Sequence, residues 1–142
     1  MWIFTPDGYY SVVQKAADRK ANTLTIRTRN REDMDSLVRD YFPKAKPYRV
    51  ERSDYEWRIR VPKAQWAEAV QRMAMDIDYT NFKDEVKHRQ GMERAGVYGR
   101  VWSVLLALEN KKRRWKLTKA ERQMALDFER DDDLLLDAPH RY

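Results

Sequence analysis

The chain has 142 residues, a formal charge of +6, 37% charged residues and no cysteine. That length suits one domain with a sizeable buried core, and the lack of cysteine excludes disulfides, thiolate chemistry and cysteine-built zinc sites. The apolar runs are short and broken by charge, and the opening MWIFTPDG lacks the basic and apolar regions of a secretory signal, so no membrane span and a cytoplasmic location are expected.

In chain order, MWIFTPDGYYSVVQ places two apolar runs around Thr5, Pro6, Asp7 and Gly8. Proline sets a turn φ and glycine admits a positive φ, so a hairpin with strands at 2–4 and 9–14 is predicted. Polar residues 15–22 read as a connection. TLTIRTR at 23–29 alternates as a strand with one wet face. Asn30 is positioned to cap the next helix, whose apolar stripe is Met34, Leu37, Val38 and Tyr41, and Pro43 and Pro47 limit its extension. In DYEWRIRVP, Tyr55, Trp57, Ile59 and Val61 share a face opposed by Glu56, Arg58 and Arg60. Residues 48–50 would form a short partner strand. Pro62 opens a second helix with Trp66, Val70 and Met73 inward. Residues 77–80 read as a further strand, though they are short enough to be loop.

The longest helix is expected to begin at Asn81, a candidate cap, with Phe82, Val86, Tyr98, Val101, Trp102, Leu105 and Leu106 at helical spacing. Gly91, Gly96 and Gly99 interrupt it, and each costs about 1 kcal/mol relative to alanine if interior. Either another backbone approaches closely, or the helix breaks near Gly91 or Gly96. Beyond it, KKRRWK is a basic block, Thr118 and Glu121 match a capping box before a short amphipathic helix, and 127–137 is acidic around three leucines. From residue 24 onward the order strand, helix, strand, strand, helix, strand is the split βαβ pattern. The expected fold is therefore α+β: a ferredoxin-like split βαβ sandwich with an added N-terminal β-hairpin, a long helix after the core and a short C-terminal helix. Its organisation would be an α+β domain over 1–110 and a charged helical appendage over 111–142.

No Walker sequence, dinucleotide fingerprint, nucleophile elbow or zinc motif is present, and no cofactor is implied. Asp84 and His88 share a helical face, and Asp76, Asp78 and Glu85 lie near them in sequence. A hard-cation nuclease site can be drawn from these groups. With 23 acidic residues such near-coincidences are common; caps and ion pairs account for these groups better, and no metal ligand is assigned. The more coherent set is electrostatic. If the strands around Ile26 and Ile59 pair, Arg27, Arg29, Arg58 and Arg60 gather on the sheet face away from the helices, where phosphate or carboxylate would satisfy them. Tyr9 or Tyr10 would offer stacking there. Glu56, Asp54 and Asp7 are the carboxylates close enough in sequence to neutralise the set.

MWIFTPDGYYSVV, DYEWRIRVP and DIDYTNFKDEV followed by YGRVW carry a resemblance. Over 1–108 the chain resembles a family of small uncharacterised bacterial proteins that open with a Met-Trp-hydrophobic-Phe stretch and carry an Asp-Tyr-x-Asn-Phe-Lys segment before a terminal helix. Trp2, Phe4, Gly8, Ser11, Asp78, Tyr79, Asn81, Phe82 and Lys83 match its landmarks. The resemblance implies no activity. Lys83, at the strand-to-helix junction, joins the arginines as a ligand-binding candidate, since exposed backbone N–H groups there could accept an anion unless Asn81 and Asp78 fill them.

The expected function is a non-enzymatic binding or accessory protein for an anionic partner such as nucleic acid, or for another protein. The C-terminal segment, basic then acidic, would serve a protein partner or a homodimer. A metal-dependent nuclease or other phosphoester-processing enzyme is the alternative.

Overall fold

The first two strands form because the chain turns tightly at 5–8. In the computed structural model, which describes residues 1–108, β1 (Trp2–Thr5) and β2 (Gly8–Val13) pair antiparallel. Thr5 Oγ1 accepts the N–H groups of Asp7 and Gly8 at 3.2 and 3.0 Å and donates to Gly8 O. Gly8 is needed for space, not for a positive φ: a Cβ there would lie 2.6 Å from Oη of Tyr10, which is fully buried.

Residues 15–22, expected as a connection, contain a short helix, α1 (Ala16–Ala21). Its first turn is closed by Asp18, whose Oδ2 accepts the Lys15 N–H at 2.9 Å, and Asn22 ends it in the left-handed region. β3 (Thr23–Thr28) follows, then α2 (Arg31–Tyr41), capped as expected by Asn30, which accepts the Asp33 N–H at 2.9 Å. β4 (Tyr48–Arg49) is only two residues long, β5 spans Trp57–Pro62, and α3 spans Lys63–Met75.

The protein is α+β, with one five-stranded antiparallel sheet in the order β1-β2-β3-β5-β4. Because β3 and β4 both run antiparallel to β5, they are parallel to each other with β5 between them. Residues 77–80 form no strand, which corrects the expected closing strand. The place beside β3 is taken by β2, in a register that pairs Ser11 with Arg27 and Val12 with Ile26. Alternation along the strands sends Tyr10, Val12, Leu24, Ile26, Ile59 and Val61 to one face, where they meet Met34 and Leu37 of α2 and Trp66 and Ala69 of α3.

The last described helix, α4 (Phe82–Leu105), starts with the expected cap, Asn81 Oδ1 accepting the Asp84 N–H at 3.2 Å. It is not continuous. Gly91 has φ 84° and ψ 175°, a conformation essentially reserved for glycine. In an unbroken helix Phe82 and Tyr98 would be about 24 Å apart along the axis, yet their rings stack at 5.9 Å, so the chain folds back at Gly91. Both limbs then reach the hairpin. Arg89 pairs with Asp7 at 2.9 Å and the Gln90 amide donates to Pro6 O, while Arg94 grips Asp33 through two bonds of 2.8 and 3.0 Å and Tyr98 meets Phe4 edge-on. Val86 and Tyr98 are buried as expected; Trp102 and Leu105 are exposed, which corrects the continuous apolar stripe. None of the described helices is long and apolar enough to cross a membrane. The chain divides into two units, Met1–Arg100 and Val101–Tyr142. The expected appendage over 111–142, its helix and its partner or homodimer role lie outside the described residues.

Candidate functional site

Strand pairing does bring the arginines to one face. Arg27 and Arg58 are direct cross-strand partners, Arg60 lies opposite Thr25, and Arg29 follows β3 on the same side. They do not form one solvent-facing cluster of four. Arg27 and Arg58 are 4% and 5% exposed, which overturns the expectation for these two; Arg29 is exposed, and Arg60 is exposed but paired with Asp18. Two features account for this.

The first is the loop 51–56. Tyr55, expected in line with Trp57 on the helix-facing side, instead sits outside β5 and lays its ring over the arginines. The guanidiniums of Arg27 and Arg29 lie 4.7 and 5.1 Å from its centroid. Arg58 donates from Nε to Tyr55 O at 3.0 Å and from Nη2 to Ser53 Oγ at 2.6 Å, while Arg27 donates to Ser11 Oγ at 2.9 Å. Tyr9 closes the loop from the hairpin through a 2.9 Å bond between the two phenol oxygens. Burial first, then this bond, raises the Tyr9 pKa. Tyr9 therefore reaches this face as expected, stacked on Phe4 and edge-on to Trp2, whereas Tyr10 turns into the core.

The second is α1. Asp18 is fully buried and accepts from Thr25 Oγ1 at 2.7 Å, Thr23 Oγ1 at 2.9 Å and Arg60 Nε at 2.8 Å, as well as from the Lys15 N–H. Burial alone would raise its pKa; the Lys15 N–H, the threonine hydroxyls and Arg60 together outweigh it and hold the carboxyl below its ordinary value. The neutralising carboxylate is thus Asp18. Glu56 and Asp7, expected in that role, pair with Arg49 and Arg89.

Lys83 is exposed on the first turn of α4, and no hydrogen bond or ion pair among the described residues joins it to the arginines. Asp84 and His88 are likewise exposed, and the described residues contain no group of three or more acidic or histidine side chains arranged to hold a metal ion.

What the sequence did not single out is a groove of about 430 Å³ at the open edge of the sheet. β4 covers only Trp57 and Arg58, leaving the outer edge of β5 from Ile59 onward without a strand partner. The loop after α2 and the first turns of α3 form the walls, and Lys44, Arg60 and Arg72 line the space with Tyr41, Gln65 and Glu68. Arg72 is tethered, its guanidinium 4.9 Å from the Tyr41 ring centroid and Nη2 donating to Asp40 O at 3.2 Å. Pro62 caps α3 without a side-chain hydrogen bond, and the first turn of α3 has no acidic residue. Two exposed cations, Lys44 and Arg72, thus share the groove with one carboxylate among the described residues, beside a helix start that favours negative charge, while the Arg60 side chain is held by Asp18 on the other face. Only Arg60 belongs to the set read from sequence. A second cavity of about 210 Å³, between the hairpin and the α3–α4 link, is lined mainly by apolar side chains such as Ile3, Val70, Met73 and Ile77.

Compared with known proteins, the chain matches no family model, no curated protein and no solved structure.

Proposed function

We propose that the protein is a non-enzymatic binding or accessory protein for an anionic partner, engaged at the groove beside α3. The observation that carries this reading is that Lys44 and Arg72 line one open groove with Glu68 as its single carboxylate among the described residues. Lys44 and Arg72 are exposed, so their charge is presented to solvent; Arg60 is paired with Asp18, and Arg27 and Arg58 are buried beneath Tyr55. The net charge of +6 supports the same sign of partner. We also read the sheet as a ferredoxin-like variant, in which β3, α2, β4 and β5 form the split unit and β2 of the added hairpin takes the place of a closing strand. Several landmarks of the family resemblance have structural roles here: Gly8 makes room for Tyr10, Phe4 and Phe82 clasp Tyr98, and Asn81 caps α4. On this reading such relatives would share the packing of hairpin against α4.

The test is a titration of the full-length protein with single-stranded DNA, duplex DNA and polyglutamate across a salt series, with an Mg²⁺-dependent cleavage assay alongside. Two phosphate contacts, from Lys44 and Arg72, correspond to a slope of log K against log salt of about −1.4 for single strands and about −1.8 for duplex. Lys44→Ala and Arg72→Ala should each reduce that slope, and Arg29→Ala should leave it unchanged. Salt-insensitive binding, no binding to any polyanion, or cleavage of the nucleic acids would overturn the proposal.

A further inference from the structure

We infer that the groove accepts a nucleoside monophosphate unit, a phosphate joined to a planar base, and not phosphate groups alone. This deepens the reading above and rests on it. The groove has two unlike ends of chemistry. Lys44 supplies an exposed point cation for a phosphate beside the start of α3. Arg72 supplies something different: its guanidinium, planar by its chemistry, lies 4.9 Å from the Tyr41 ring centroid and is tethered to Asp40 O, so a planar cation and an aromatic ring line the same wall of the groove. Planar bases stack on guanidinium planes as they do on aromatic rings. Glu68 lines the same space, and an acceptor-only carboxylate repels a second phosphate while it can accept from a sugar hydroxyl or an exocyclic amine. At about 430 Å³ the groove falls within the range of small-ligand sites, about 300–1,000 Å³, and is too small to embrace a duplex.

Two sources present this chemistry, a free nucleotide and a single-stranded nucleic acid with one nucleotide seated in the groove. They are separated by calorimetric titration of the full-length protein with inorganic phosphate, adenosine 5′-monophosphate, a single-stranded decamer and the corresponding duplex. The expected result is a mononucleotide affinity at least tenfold above that of phosphate. Further gain for the decamer identifies a strand as the source, and no gain identifies the free nucleotide. Lys44→Ala should weaken both phosphate and nucleotide several-fold. Arg72→Lys, which keeps the charge but not the plane, should leave phosphate binding in place and abolish the preference for the nucleotide. Both side chains are exposed, so the variants are expected to fold, and a circular dichroism melt verifies it. Equal affinity for phosphate and nucleotide, preference for the duplex, or a nucleotide preference that survives Arg72→Lys overturns this inference. If binding of polyanions still depends on Lys44 in those cases, the anionic reading of the groove stands without it. If Lys44→Ala and Arg72→Ala change no binding at all, both fall.

Discussion

Asp18 is the residue whose loss the structure predicts most sharply. Its carboxylate is fully buried on the polar face of the sheet and collects four donors at 2.7–2.9 Å: the Lys15 N–H, the hydroxyls of Thr23 and Thr25, and Arg60 Nε. In Asp18→Ala the Thr25 hydroxyl, itself fully buried, is left without its acceptor, at about 1–3 kcal/mol. The Lys15 N–H adds about 1 kcal/mol. The half-exposed Arg60 can turn to water, so its part is held to about 0.5 kcal/mol. These terms together come to about 2.5–4.5 kcal/mol. With an m-value of about 1.5 kcal/mol/M in urea, the midpoint should fall by about 2–3 M. Asp18→Asn keeps the shape and one acceptor oxygen, and should lose about half as much. The acid dependence has a definite sign. Because the folded carboxyl titrates below its ordinary 3.8, its contribution is complete above that value and is lost as pH falls through the folded pKa. The gap between wild type and Asp18→Asn should therefore be widest near neutrality and narrow below pH 4. Urea melts followed by tryptophan fluorescence at several pH values measure this. A loss under about 0.5 kcal/mol for the alanine variant, or a gap that widens in acid, would refute the reasoning.

The other expectations concern α4, the loop over the arginines and the tyrosines. Gly91→Ala places a side chain at φ 84°, ψ 175°, and should cost about 1–3 kcal/mol; hydrogen exchange should show faster opening of the limb after the break, and unchanged protection there would contradict the fold-back. Tyr55→Ala removes the ring over Arg27 and Arg29 and the partner of Tyr9, and should lower stability by about 3–5 kcal/mol, read by thermal melting; Tyr55→Phe should lose only about 1 kcal/mol. Burial raises the pKa values of Tyr9, Tyr10 and Tyr41 and pushes Tyr98 up to about 12. These phenols lose their protons more readily in the unfolded chain, so stability should be complete below pH 10 and fall as pH rises above it. A spectrophotometric titration in which all tyrosines ionise near pH 10 while the protein stays folded would contradict that.

The hairpin, β3, α2, β5 and α3 were legible because each announces itself locally, through a turn, an alternation or a cap. Arg27, Arg58 and Arg60 were correctly read as sharing a face for the same reason. What could not be read was what lies over that face. Alternation places Tyr55 beside Trp57 only if β5 extends that far, and the strand stops short because the 51–56 loop crosses to the other side. Asp18 gave no signal, since a lone carboxylate among KAADRKAN looks solvated until α1 carries it onto Thr23, Thr25 and Arg60. Gly91 was marked as one of two possible breaks, and its non-helical backbone together with the contact of Phe82 with Tyr98 decides between a bend and a straight helix. The groove did leave a trace. Lys44 and Lys46 follow the proline that ends α2, and Pro62-Lys63 opens α3 with no acidic residue in its first turn. Without the strand order, nothing showed that these two segments face each other.

Charge reversal distinguishes the groove from the arginine face most directly. In a salt-series titration with a single-stranded DNA oligomer, the account predicts that Lys44→Glu with Arg72→Glu abolishes measurable binding, while Arg29→Glu, on the other side of the sheet, leaves both affinity and salt slope as in the wild type. Binding that survives the groove reversal and disappears with Arg29→Glu would contradict it.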